Sequence, residues 1–158
     1  MNDERAEIEA AIPHRDPFLF LDRVTDRGFE SLSAEWTVPE DAEFFRGHYP
    51  GRPITPGVIL SEHAFQCAAL LISTMSSGSS QRDGVPVLTK IEHARFRRMV
   101  APGETVATTV KVVERLGPAW YMSARVTLRG ATVLDLRFVL SSTEAMAGIG
   151  LPPATEEP

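Results

Sequence analysis

Between residues 56 and 75 the chain reads PGVILSEHAFQCAALLISTM, and this run narrows the choice of fold more than any other stretch. It is apolar around most of a helical circumference, as a helix enclosed by the rest of a protein must be. The Thr55-Pro56 step marks its start: threonine suits the N-cap, and proline at the first helical position sacrifices no intrahelical hydrogen bond. Ala64, Ala68 and Ala69 allow neighbouring backbone to approach closely. The run also has about the length of a membrane span. Glu62, His63 and Gln66 near its middle would be costly in hydrocarbon, and no flanking basic cluster supports a span, so none is expected. A core helix carrying a carboxylate and an amide one turn apart needs an explanation.

The remainder of the chain supplies what could enclose such a helix. Residues 3–11 have helical composition, and Pro13 should stop that helix. PFLFLDRV (17–24) is a short apolar run leading toward a strand, and FESLSAEWTV (29–38) alternates as a strand does. The Pro- and Gly-rich segment 39–57 reads as a long ordered loop. MSSGSSQRDG (75–84) reads as a flexible polar connection. After Gly84 every segment reads as strand: VPVLTKIEHARFR, TVATTVKVVERL, AWYMSARVTL and ATVLDLRFVL, separated at Pro102-Gly103, Gly117-Pro118 and Arg129-Gly130. In the last of these Leu134, Leu136, Phe138 and Leu140 share one face, with Asp135 and Arg137 on the other. Short turns predict that successive strands are antiparallel neighbours. The expected architecture is α+β, an antiparallel sheet curled around one central helix, over residues 1–142. The tail from 143 (TEAMAGIGLPPATEEP) is expected to be flexible or loosely docked.

Composition excludes some functions. The 158 residues suit one domain, and the formal net charge of −5 argues against a general nucleic-acid binder. A single cysteine forms no internal disulfide, and no CxxC or paired spacing suggests zinc. Cys67 reads as core rather than nucleophile. His14, His63 and His93 show no paired metal spacing. With no apolar N-terminal stretch of signal-peptide type, a cytoplasmic location is expected. GxSxG, Walker and GxGxxG signatures do not occur.

Glu62 and Gln66, four apart, lie on one side of the helix. Either that side faces solvent and both are ordinary surface residues, or it is buried. In the second case burial raises the Glu62 pKa, as a general acid near neutral pH requires, and Gln66 can orient the carboxyl group. His48, in GHYPGRPITPG, is either a plain loop residue or an imidazole held by a Pro/Gly-restricted backbone. Its loop runs into a helix N-terminus, where the N–H groups of Gly57 and Val58 can receive partial negative charge. An imidazole, a protonated carboxyl and those donors suit proton abstraction beside a carbonyl with acid-assisted loss of a β-hydroxyl. His63 points about 100° away from Glu62 and is not the expected partner. Lys90, Arg95, Arg97 and Arg98 form a basic run in an acidic chain, either a solvated strand face or a landing patch for an acidic partner. Arg95 and Arg97 should share one face, with Phe96 on the other.

IPHRDPFLFLDRV (12–24), GHYPGRPITPGVILSEHAFQ (47–66) and KIEHARFRRMVAPGETV (90–106) resemble, in order and spacing, three signature blocks of the FabZ-type 3-hydroxyacyl-acyl-carrier-protein dehydratases. The similarity runs from about residue 11 to about 142. It implies a hotdog fold and a homodimer, often assembled into a hexamer, whose active sites take a histidine from one subunit and a glutamate from the other. By the resemblance, His48 and Glu62 are those residues, and the amides near Gly57 and Val58 polarise the thioester carbonyl. It also implies an acidic carrier protein as partner for Lys90, Arg95, Arg97 and Arg98, and no metal or redox cofactor. The glutamate points away from the related FabA type, whose helix acid is aspartate. Thr55 stands where methionine is usual, and His63-Ala64-Phe65 replaces a small-residue sequence after the acid. Thr55, Phe65 and Phe96 are the expected tunnel residues, which leaves acyl chain length open. The implied reaction is dehydration of (3R)-3-hydroxyacyl-carrier-protein to the trans-2-enoyl thioester. The rival readings are a hotdog thioesterase and a non-catalytic acyl-binding hotdog protein.

Overall fold

Alternation after Gly84 becomes strand and the apolar run becomes helix, close to the expected bounds. The computed structural model describes residues 2–76 and 84–144. In chain order the elements are α1 (Asn2–Ala11), β1 (Arg23–Arg27), β2 (Ser31–Thr37), a 3-10 turn (Glu43–Arg46), α2 (Gly57–Met75), β3 (Pro86–Phe96), β4 (Thr105–Leu116), β5 (Ala119–Leu128) and β6 (Ala131–Ser142). The flexible connection expected at 75–84 lies, over 77–83, outside the described residues, as does the tail from 145 onward. Pairing continues one residue past the expected domain end, because Thr143 N–H donates to Val85 O at 3.0 Å.

All strand pairs are antiparallel, in the order β1-β2-β4-β5-β6-β3. Two of the three expected turns make sequential neighbours. Arg129 and Gly130, at φ 49° and 79°, form the two-residue β5–β6 hairpin, and Gly117 at φ 57° opens the β4–β5 hairpin with Pro118. The third expectation fails: β3 does not pair with β4. The Pro102-Gly103 turn exists, with Glu104 N–H to Ala101 O at 3.3 Å, but Gly103 N–H donates to Val38 O and Val38 N–H to Glu104 O. These bonds deliver β4 to the side of β2, while β3 closes on β6 at the opposite edge.

Helix α2 packs against β2, β3, β4, β5 and β6, so the sheet wraps it as the hotdog expectation requires. By length and composition α2 could cross a membrane, yet it is largely buried inside this fold. The inward face of β6 is Leu134, Leu136, Phe138 and Leu140, all buried. Each such side chain stabilises the fold by roughly 1.5–3 kcal/mol. Helix α1 adds Ile8 to the same core and stops at Ala11, ahead of Pro13.

Strand β3 carries two irregularities, between Leu88 and Lys90 and between Ile91 and His93. On an unbroken strand Lys90 and Arg95 would face opposite ways. The second bulge restores them to one face: Lys90, His93 and Arg95 stand opposite Val139, Arg137 and Asp135, while Ile91, Ala94 and Phe96 stand opposite the inward residues Phe138, Leu136 and Leu134.

Candidate active site

The N-terminus of α2 differs from the expected cap. Pro56 is the N-cap and Gly57 the first helical residue, and no side chain caps the helix. Thr55 is buried with its Oγ1 unpartnered, while its N–H donates to Val100 O at 2.8 Å. With its backbone tied to Val100, Thr55 stands one residue ahead of the N-cap and its side chain makes no cap hydrogen bond. Among the described residues the amides of Gly57 and Val58 have no acceptor, so the helix begins with open donors. Phe96 lies against this point. A Cβ added at Gly57 would meet Phe96 Cε1 at 2.7 Å, so glycine is what lets the ring sit there.

The loop before α2 holds His48 by its backbone and its ring. His48 N–H donates to Phe44 O at 3.0 Å, and Arg52 N–H to Tyr49 O at 3.0 Å. Tyr49 adopts the left-handed conformation (φ 56°), a cost of about 1–2 kcal/mol borne beside the imidazole. His48 Nδ1 is 2.9 Å from Ile54 O. A carbonyl only accepts, so Nδ1 carries the proton and Nε2 keeps its lone pair. In the neutral ring Nε2 is thereby left as the nitrogen able to accept a proton.

On α2 the polar side faces inward rather than to solvent. Leu19, Phe20 and Leu21 are buried but belong to no strand, so their backbone groups need partners from elsewhere. Gln66 and His63 provide them at Phe20 and at the neighbouring Phe18. Phe20 N–H donates to Gln66 Oε1 at 2.8 Å, Gln66 Nε2 donates to Phe18 O at 3.1 Å, and His63 Nδ1 donates to Phe20 O at 2.6 Å. The remaining Gln66 N–H reaches Glu62 Oε1 at 3.0 Å. Gln66 is fully buried and held at both ends, so it presents a fixed donor to the acid. Burial raises the Glu62 pKa, and the Gln66 hydrogen bond opposes that rise in part. Burial likewise lowers the pKa of His63 to about 4, against a smaller opposing contribution from Phe20 O. His63 is thus a neutral structural residue.

His14 is a neighbour of the acid that sequence reasoning missed: its Nε2 lies 3.5 Å from Glu62 Oε1. It sits inside one of the quoted blocks, but nothing in sequence spacing ties it to residue 62. By contrast, among the described residues no hydrogen bond or ion pair joins His48 to Glu62 of the same chain. Cys67 is buried and its thiol pKa is pushed up by burial, in keeping with a core role.

Of the expected tunnel residues, Phe65 is buried edge-on against Phe138, with ring centroids 4.8 Å apart, and Phe96 is half exposed over Gly57. The basic residues divide. Lys90 pairs with Glu92 at 3.1 Å. Arg97 joins Asp135 at 2.8 Å, and the same carboxylate meets Arg125 at 2.9 Å. These two hydrogen-bonded guanidinium groups hold the Asp135 pKa down. Arg98 lines a shallow depression together with Arg97, Arg125 and Asp135. Arg125 extends the cationic face and was found only through the register of β5 on β6. Among the described residues no group of three His, Cys, Asp or Glu side chains is placed to hold a metal ion.

The family model described as a FabA-like domain matches residues 12–137. The 3-hydroxyacyl-[acyl-carrier-protein] dehydratase FabZ of Anaeromyxobacter dehalogenans is 35% identical over 133 residues, covering 84% of this chain and 85% of that protein. The protein of the same name from Rickettsia massiliae is 38% identical over 133 residues, covering 84% and 90%. Among solved structures, the dehydratase heterocomplex ApeI:P from Xenorhabdus doucetiae superposes with a TM-score of 0.77 at 14% identity, over 91% of this chain and 97% of that one. A hypothetical thioesterase with coenzyme A from Streptococcus pneumoniae superposes at 0.60 and 12% identity, over 89% and 94%. At such identities the structural likeness speaks for the hotdog fold alone.

Proposed function

The chain belongs to the FabA-like family and is a 3-hydroxyacyl-[acyl-carrier-protein] dehydratase, and we propose that His48 and Glu62 carry the reaction, one from each of two copies of the chain. The observation that carries the assignment is the clamped acid: Glu62, with its pKa raised by burial, receives a fixed hydrogen bond from Gln66. His48 Nε2 removes the proton from C2 of the (3R)-3-hydroxyacyl thioester. The electron pair forms the C2–C3 double bond as the C3–O bond breaks, and Glu62 protonates the departing hydroxyl to water. The open amides of Gly57 and Val58 receive the charge that develops on the thioester oxygen. Proton return from His48 to Glu62 through solvent completes the cycle. The product is the trans-2-enoyl thioester, serving fatty acid or related acyl-chain synthesis, and a cytoplasmic location accompanies that reading.

Two features support the second copy. His48 and Glu62 do not meet within one chain. Among the described residues strand β3 ends the sheet with an unpaired edge, beside which Ile91, Phe96, Met99 and Val58 are exposed. An isologous partner on that edge would cover apolar surface and bring the missing residue. The basic face of Arg95, Arg97, Arg98 and Arg125, with Lys90 at its margin, is the proposed landing surface for the acidic carrier protein. Further assembly of such dimers into a hexamer is compatible with this arrangement.

Turnover of a 3-hydroxyacyl carrier protein, read by mass spectrometry, tests the assignment. His48→Ala and Glu62→Gln should each be inactive. An equal co-refolded mixture should recover about a quarter of wild-type activity, since half the dimers would hold one intact site. No rescue on mixing would exclude the shared site. Release of free acid would favour a thioesterase, and binding without turnover an acyl-binding protein.

A further inference from the structure

His14 approaches Glu62 from a loop that is itself tied down. Arg15 Nη1 donates to Ile12 O at 2.9 Å and to His14 O at 2.7 Å, so the guanidinium fixes the backbone that carries the imidazole. The side chains of His14 and Glu62 are about equally withdrawn, at 24% and 23% exposure. Burial, and then the charge of Arg15, holds the His14 pKa below its usual 6.5, so the ring is neutral near pH 7. A neutral imidazole carries one proton. On Nδ1, which is buried without a partner among the described residues, that proton would be an orphaned donor. On Nε2 it faces Glu62 Oε1. That oxygen also accepts the N–H of Gln66. Two donors on one oxygen make it the carbonyl-like member of the acid.

We propose that His14 is a positioning residue of the dehydration: its Nε2–H steers Glu62 Oε1 and thereby keeps the acid's proton on Oε2, the oxygen left to meet the departing hydroxyl. This rests on the reading of Glu62 as the acid. The 3.5 Å separation is longer than a formed hydrogen bond, as catalytic contacts commonly are before substrate is bound. The other titratable and charged groups around the pair are accounted for. Arg15 is turned to loop carbonyls, His63 is neutral and turned to Phe20 O, and Arg5 pairs with Asp16 and approaches Asp22. In the proposed shared site, His48 of a second copy stands on the other side of the substrate.

The test compares wild type with His14→Phe, which fills the space without a donor, and His14→Gln, which keeps an amide donor; Glu62→Gln marks loss of the acid. Turnover of a 3-hydroxyacyl carrier protein is measured against pH, with the melting temperature alongside. In His14→Phe kcat should fall about 10- to 100-fold with KM changed less than about twofold. Its alkaline limb should move to higher pH, because ionised Glu62 has lost a donor. His14→Gln should recover most of kcat and return the limb. A merely structural role would lower the melting temperature without moving the limb. Wild-type kcat and limb in His14→Phe, or equal losses in both variants, would overturn the inference while an inactive Glu62→Gln left the acid assignment standing. An active Glu62→Gln would overturn the acid assignment, and this inference with it.

Discussion

Replacing Gln66 with methionine keeps the length and most of the volume of a fully buried side chain while deleting its three hydrogen bonds. Phe20 N–H would lose its acceptor, and a buried orphan donor costs about 1–3 kcal/mol. Phe18 O, only partly buried, would lose a donor worth about 0.5–1 kcal/mol. Against this, the desolvation of the glutamine amide is no longer incurred and the thioether adds apolar burial, together offsetting about 1 kcal/mol. The net expectation is a destabilisation of about 0.5–3 kcal/mol, or a drop in Tm of about 1–12 °C for a chain of this size. Thermal unfolding followed by circular dichroism at one fixed protein concentration measures it, since an oligomer's Tm depends on concentration. Glu62, still buried but without its clamp, should also titrate higher than in wild type. A Tm within about 1 °C of wild type would refute the claim that Gln66 is what satisfies the strandless segment 18–20.

His63 predicts a pH signature. Its folded pKa of about 4 lies below the unfolded 6.5, so the unfolded chain binds the proton more readily; stability is full above about pH 6.5 and falls toward pH 4, by about 3 kcal/mol in all. His63→Gln should flatten urea-measured stability over that window, and an unchanged slope would contradict the assignment; Glu62 titrates in the opposite sense but is common to both proteins. Gly57→Ala forces a Cβ to within 2.7 Å of Phe96 Cε1. The expected result is a folded protein with activity reduced about 10-fold or more, partly recovered by adding Phe96→Leu; unchanged activity would separate this contact from the site. Charge reversal at Arg97 and Arg125 together should raise KM for carrier-bound substrate about 10-fold and weaken its salt dependence, with little effect on a free pantetheine thioester.

Much of this molecule is written locally. The enclosed character of α2 follows from apolar residues around most of its circumference, and the hairpins at Gly117-Pro118 and Arg129-Gly130 from turn chemistry. The Glu62–Gln66 pair follows from the four-residue helical repeat. These are properties of neighbours in the chain, and a period or a turn is enough to find them. What the pair does could not be read this way. Whether its side faced water or the interior depended on the segment 18–21, which forms no strand and draws Gln66 and His63 onto its backbone across more than forty positions of sequence.

Long-range placement was decided by the assembled sheet. Pro102-Gly103 has the composition of a hairpin turn, but Gly103 N–H donates to Val38 O and Val38 N–H to Glu104 O, so β4 joins β2 and β3 becomes an edge. The bulge in β3 returns Lys90 to the face of Arg95, which a strict alternation would deny, and the register of β5 on β6 adds Arg125 to Asp135. His14 meets Glu62 only because the loop after α1 folds back over α2. The sequence by itself determined the elements, the central helix and the residue types able to do acid–base chemistry, because helical and strand periodicity are local. The tertiary structure alone decided the strand order, the burial that raises the acid's pKa and the neighbours that orient it, because hydrogen bonding and desolvation depend on groups that sequence separation does not bring together.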